Sequence, residues 1–447
     1  MFQMHATSLA LEHLLCAIGD PIGEIRDIGP EHPEFIRAQT IRAAAGVLAK
    51  VPDTFPAIAQ VIRTADSVPI SPRARTHLAA AEAWLSGNPV LAAESYAFIL
   101  NRWPSDLLAL RLAQSCYIFL GQHDRLCEVV DAVASAWTHD QRGFRFLLAM
   151  ASFAYAESGN SAHAETLGRD ALAYEPGCPL GVHAVAHALA ESGRHHEGAQ
   201  WMRDQRAHWT TESRMRTHNA WHLAMFDAEE GNVASALGIF DEWLLPASAQ
   251  SPLDACDAAG LLWRLAIDGV DDESRWCKVS DAFERTTTPG FWPYIDLHAA
   301  LAHLNAGKKA RAQRLTHAIE LCAEGGDYAA LRARHVTQPG LQALEAWAEG
   351  RYAEAAGLLA GLRPFLGDVG GSRIQLEVFK SIEQVAVRQK CTVPGEVALR
   401  DRFHRQSLRA DAGDKAPISV VAVAARHNKT SGACGTRGFD LENFDSH

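Results

Sequence analysis

Glycines recur along this chain at a period that leaves few folds open. Gly87, Gly121, Gly159, Gly193, Gly231, Gly269, Gly307 and Gly350 are separated by 34, 38, 34, 38, 38, 38 and 43 residues. Each closes an apolar segment of helical period, in turns such as Ser86-Gly87-Asn88, Ser158-Gly159-Asn160, Ser192-Gly193-Arg194, Glu230-Gly231-Asn232 and Glu349-Gly350-Arg351. Self-similarity on this scale marks stacked helix–turn–helix units, and glycine is what the turn demands because it adopts positive φ without steric cost. Five residues past the glycine stands Ala92, Ala164, Gly198, Ala236, Ala312 or Ala355 in six of the eight units, with Leu126 and Ser274 in the others. A small residue there lets the second helix pack closely on the first. Trp103-Pro104 and Glu175-Pro176 end two of the second helices, a proline position seen in 34-residue tetratricopeptide repeats.

A helix pair of this size cannot bury its apolar face alone, so neighbouring pairs stack into a superhelix whose first helices line the concave side. The expected fold is therefore all-α, a tetratricopeptide-repeat-like α-solenoid. Residues 1–70 read as an N-terminal helical cap, with helices near Ser8 to Ile18 and Pro33 to Ala49, and residues 71–363 as the repeat array. Residues 364–410 read as C-terminal capping helices, near Ile374 to Gln389 and Pro394 to Leu408. Residues 411–447 turn to Gly, Ser, Asp and Lys and are expected to be a disordered tail.

Charge and cysteine usage narrow the function classes. The 42 basic and 53 acidic residues give a net charge of −11 with no run of Lys or Arg, which argues against nucleic acid as a partner. Apolar runs such as Val420 to Ala425 are too short to cross a bilayer, so no membrane partner is expected. The stretch Met1 to Asp20 carries Glu12 and His13 and no basic leader, so no signal peptide is expected either. Nine scattered cysteines, never spaced C-x-x-C, fit reduced thiols and a cytoplasmic location and supply no thiolate zinc site. Phosphate-binding glycine loops, dinucleotide fingerprints and the Gly-x-Ser-x-Gly elbow are all missing.

The candidate chemistry lies in histidines. His183-Ala184-Val185-Ala186-His187 and His218-Asn219-Ala220-Trp221-His222 each place two imidazoles one helical turn apart on one face. Counted back from the next glycine, His77 and His183 both lie ten residues before it, and His222 and His298 nine; His187 lies six before and His218 thirteen. At 100° per residue these positions share an arc of roughly 100°. A histidine on an apolar helix is ordinarily a satisfied core residue, but the repeated set points to a shared role. Four converging imidazoles suit zinc, iron, nickel or copper, so His183, His187, His218 and His222 are candidate ligands of a divalent transition metal. Metal-free acid–base catalysis by the same histidines with His298 and Asp257 is the other version. Asp257 and Arg264 sit seven residues apart just beyond the arc, where they are either an ion pair or a carboxylate beside an anion-holding guanidinium. Asp296 falls well outside it.

Further segments carry a resemblance: Trp103-Pro104-Ser105-Asp106-Leu107-Leu108-Ala109-Leu110-Arg111, Leu261-Leu262-Trp263-Arg264-Leu265, Asp296-Leu297-His298, and Gly370-Gly371-Ser372 followed by Gln375 and Val378-Phe379. With the two histidine pairs, in this order, the chain resembles the tetratricopeptide repeat protein 38 family from about Ser71 to Ala410. The resemblance implies an all-α superhelix and no settled activity. It also implies that His77, His183, His187, His218, Asn219, His222, Asp257, Arg264, Asp296 and His298 are the recurring polar positions. Where the family pattern reads Gln-Arg-Asp before Val-Phe, this chain has Gln375-Leu376-Glu377, and Ala74 replaces an expected acidic residue before His77. The functional expectation is a polar pocket in the concave groove that binds or transforms a small molecule. His183, His187, His218, His222, Asp257 and His298 would be its reacting groups, and His77, Asn219, Trp221, Arg264, Asp296 and Gln375 would contact the ligand. The alternative is a non-catalytic scaffold holding a protein or peptide in the groove.

Overall fold

A computed structural model describes residues 6–389, and every regular element in it is a helix. The helix expected near Pro394 to Leu408 and the tail expected from residue 411 lie outside the described residues. Helices Ala6–Cys16, Phe35–Ala49 and Phe55–Ala65 precede the repeats. Eight helix–turn–helix units follow, and at every one of their glycines φ lies between 65° and 85°. The inner helices of units one to four are Pro72–Leu85, Leu107–Leu120, Phe144–Glu157 and Pro179–Glu191; those of units five to seven are Arg216–Glu229, Pro252–Ile267 and Pro293–Asn305. Side-chain caps begin several of them: Ser71 Oγ accepts from the Ala74 N–H, Asp106 Oδ1 from Ala109, and Ser251 Oγ from Asp254. At Gly198 the small residue five past the glycine serves packing between units rather than within one: a methyl group there, on the second helix of unit four, would meet the ring of Phe226 on the inner helix of unit five at 2.4 Å.

The 43-residue spacing before Gly350 has a local cause. Unit eight opens with one long helix in three parts, Tyr328–Arg332, a π turn over Ala333–Thr337, and Gln338–Ala348. Pro339 follows that turn, as Pro246 follows the other π turn at Phe240–Leu244. A proline inside a helix offers no N–H and crowds the carbonyl four residues back, and a widened turn relieves both.

The groove does not stay open. An aromatic seam joins the N-terminal helices and units one and two to the start of unit seven. Its ring centroids are 5.8 Å apart for Phe55–Phe291, 4.8 Å for Trp84–Phe119 and 4.9 Å for Phe119–Trp292. The Gly371 N–H donates to the Ile118 carbonyl at 3.0 Å, and the buried Arg332 guanidinium donates to Phe119, Asp368 and Val369 carbonyls. Gly121 stands so close to Gly367 that any side chain there would overlap its carbonyl. Helix Arg373–Gln389 then lies along the inner helices, tied by Trp263 Nε1–H to Ser381 Oγ at 2.8 Å. No helix among the described residues is long and apolar enough to cross a membrane.

Candidate functional site

The inner helices of units four and five bring the two histidine pairs face to face. Alanines flank each pair, and Ala184, Ala186, Ala220 and Ala224 are all fully or almost fully buried, so the helix backbones approach closely enough for opposing imidazoles to meet. Ring centroids are 4.4 Å apart for His183–His187, 5.0 Å for His183–His218 and His183–His222, 4.7 Å for His187–His222 and 4.9 Å for His218–His222. One nitrogen from each ring can be chosen so that all four lie within 4.8 Å of one another. His183 Nε2 and His187 Nε2 are 3.0 Å apart. Phe153 stacks on His183 with centroids 5.7 Å apart, and Trp221 on His218 at 5.2 Å.

Carboxylates hold the far sides of two rings. His218 Nδ1 lies 2.7 Å from Asp257 Oδ2, and Gln375 from the C-terminal helix donates to the other Asp257 oxygen at 3.3 Å. His187 Nδ1 lies 3.0 Å from Glu157 Oε1, an ion-pair distance whose angle falls outside hydrogen-bond geometry. Glu157, buried in unit three, also accepts the Arg373 N–H at 2.8 Å and sits 3.5 Å from His123. These contacts orient the rings with Nε2 toward the centre, the arrangement by which second-sphere carboxylates fix metal-ligating imidazoles.

The electrostatics favour neutral imidazoles at the core of the cluster. Burial and the neighbouring rings push His183 and His222 well below the ordinary histidine range. Burial acts the same way on His218, but the Asp257 carboxylate more than offsets it and leaves that ring above its usual value. Burial would raise the Glu157 carboxyl, yet His187, His123 and the Arg373 N–H hold it below its usual value. His222 Nε2 is buried with no hydrogen-bond partner, as are both amide atoms of Asn219 and the Trp221 indole nitrogen.

The remaining candidates do not all gather here. His77 lies between units one and two, 2.8 Å from Asp106, the residue that also caps the next inner helix and takes Arg73. His298 turns Nδ1 to its own-helix Tyr294 carbonyl at 2.7 Å. Asp296 accepts the Gly290 N–H at 3.2 Å, pinning a glycine at φ +83°. Arg264 pairs with Glu229, so it is not the ion-pair partner of Asp257 that their shared stripe allows. His222 and His298, expected in a polar pocket of the concave groove, are both about 1% exposed, because the superhelix closes over them.

Glu157, His123 and Phe153 were not singled out from the sequence. A signal for the first was present: two residues before the glycine, units three, four and five alone carry glutamate, as Glu157, Glu191 and Glu229. All three face basic partners, Glu191 meeting Arg373 at 3.4 Å and Glu229 meeting Arg264. No family model matches the chain.

Proposed function

We propose that this chain is a tetratricopeptide-like solenoid that binds a divalent transition metal through His183, His187, His218 and His222, and binds or transforms a small molecule there. The carrying observation is the convergence of four imidazole nitrogens within 4.8 Å with carboxylates behind two of the rings. In a tetrahedral centre with bonds of roughly 2.0–2.1 Å, nitrogens stand about 3.4 Å apart, so the widest pair must close by about 1.4 Å. Rotation about the histidine side-chain torsions supplies that movement. Metal also resolves an otherwise awkward packing, because the His183–His187 contact accommodates one proton and the buried His222 Nε2 has no partner.

His218 keeps 20% side-chain exposure and is the most accessible of the four rings. A metal held by all four rings would supply Lewis acidity to a small molecule only by taking a fifth ligand, while Asp257 would hold the His218 Nδ1 proton. A peptide in the groove would have to displace helix Arg373–Gln389, and this disfavours the scaffold reading.

The test is elemental analysis of the purified full chain beside His187→Ala and His222→Ala. We expect close to one equivalent of metal in the wild type and little in either variant. Metal-free protein that also fails to take up zinc, iron, nickel or copper on titration would refute the metal reading.

A further inference from the structure

Two cations beside the cluster have no carboxylate partner among the described residues. Lys50 ends helix Phe35–Ala49 in the left-handed region, with φ 53° and ψ 36°. That conformation is ordinarily left to glycine, so a lysine is kept here against a backbone cost. Its ammonium lies 6.0 Å from the Trp292 ring centroid, and among the described residues its side chain forms no hydrogen bond or ion pair. Arg111 stands ten residues before Gly121, the register that His183 occupies before Gly193. Its Nε is buried without a partner, and among the described residues its guanidinium forms no ion pair.

The two cations and the histidines share one region of the interior. Arg111 acts electrostatically on both His183 and Lys50, and Lys50 acts on His218. Burial brings Lys50 down to about 8 and Arg111 to about 10, and no carboxylate is among the charges acting on either. Yet Lys50, Arg111 and His218 all keep intermediate accessibility, so none of the three is fully closed off from solvent. Buried charge left unpaired is costly, and a pair of like charges more so. Arg214 adds a third cation within range of Arg111, with Asp20 as its own counter-charge.

We propose that Lys50 and Arg111 bind the carboxylate or phosphate group of a small anionic ligand whose other end reaches the four histidines. The inference rests on the small-molecule reading of the site and is independent of metal. An oxyanion accepts from a guanidinium fork and an ammonium at once, which supplies the missing counter-charge and fixes the ligand's orientation.

The experiment measures binding of inorganic phosphate and, separately, of oxalate to the full chain by calorimetry, with sodium chloride at equal ionic strength as control. Wild type, Lys50→Gly and Arg111→Met are compared, and metal content is determined on the same samples. We expect saturable binding to wild type that weakens about tenfold or more in each variant. Without anion, both variants should melt at or above the wild-type temperature, because an unpaired buried charge has gone and glycine suits the left-handed site. The tighter of the two anions identifies the ligand group. Anion binding that is absent in wild type, or unchanged in a folded Lys50→Gly protein, overturns the proposal. Loss of binding in the variants of a protein that holds no metal sustains it and refutes only the metal reading.

Discussion

In units four and five, four imidazoles turn toward one another and carboxylates hold two of their outer nitrogens. In unit seven, His298 gives Nδ1 to a carbonyl of its own helix, Asp296 grips the Gly290 N–H, and the neighbouring Arg332 takes three carbonyls. Both regions bury histidines on inner helices, with His218 alone of those compared keeping 20% side-chain exposure. The difference is in the partners. Polar groups satisfied by backbone hold the superhelix shut, whereas side chains backed by carboxylates and facing each other leave lone pairs converging on one point. Burial and residue type therefore do not separate a structural histidine from a candidate ligand here.

The comparison can be broken hardest at Arg332. Arg332→Ala should strand the carbonyls of Phe119, Asp368 and Val369 and cost at least about 3 kcal/mol, at roughly 1 kcal/mol or more for each. Urea unfolding measures the loss, and faster amide exchange at Gly371 should accompany it. Metal uptake relative to folded protein should not change. A variant as stable as wild type would mean that the closure does not depend on this residue.

Next in size is the carboxylate shell of the cluster. Glu157→Gln and Asp257→Asn should each weaken metal binding about 10- to 100-fold, the usual effect of removing a second-sphere partner. Competition with a chelator of known affinity reads this directly. An equal loss on Asp296→Asn would erase the distinction between the two regions.

The smallest effect concerns pH, and it belongs to unit seven. Burial raises the Asp296 carboxyl to about 8, so the folded state holds a proton there that the unfolded chain releases near its ordinary value of 3.8. Stability from this group is greatest at low pH and falls as pH rises toward 8, by at most about 1.4 kcal/mol per unit. His298 works in the opposite direction: burial lowers it to about 4 from 6.5, so its contribution is complete above 6.5 and is lost as pH falls toward 4. The two oppose each other below pH 6.5, and Asp296 acts alone of the pair between 6.5 and 8. Asp296→Asn should therefore gain on wild type in urea unfolding as pH rises from 6.5 to 8. A constant difference across that range would show that the carboxyl is already ionised at 6.5.

The sequence by itself determined what depends on neighbours within a few turns of helix. Eight glycines at positive φ made eight hairpins, and the His-x-x-x-His spacing put His183 with His187, and His218 with His222, on single faces. Helical geometry settles such relations locally, and so the all-helical array and the clustering of the four histidines at the candidate site were legible. Tertiary structure decided every pairing across units. Glu157 reaches His187 from the preceding unit, Gln375 reaches Asp257 across 118 positions, and Gly371 meets Ile118 across the closed ring. It also sent His77 to Asp106 and Arg264 to Glu229, although both stood near the register of the cluster. Small rotations between successive units accumulate along a solenoid, so which distant inner residues meet is set by total curvature. That curvature arises from packing at every interface at once, and no local stretch of the chain encodes it.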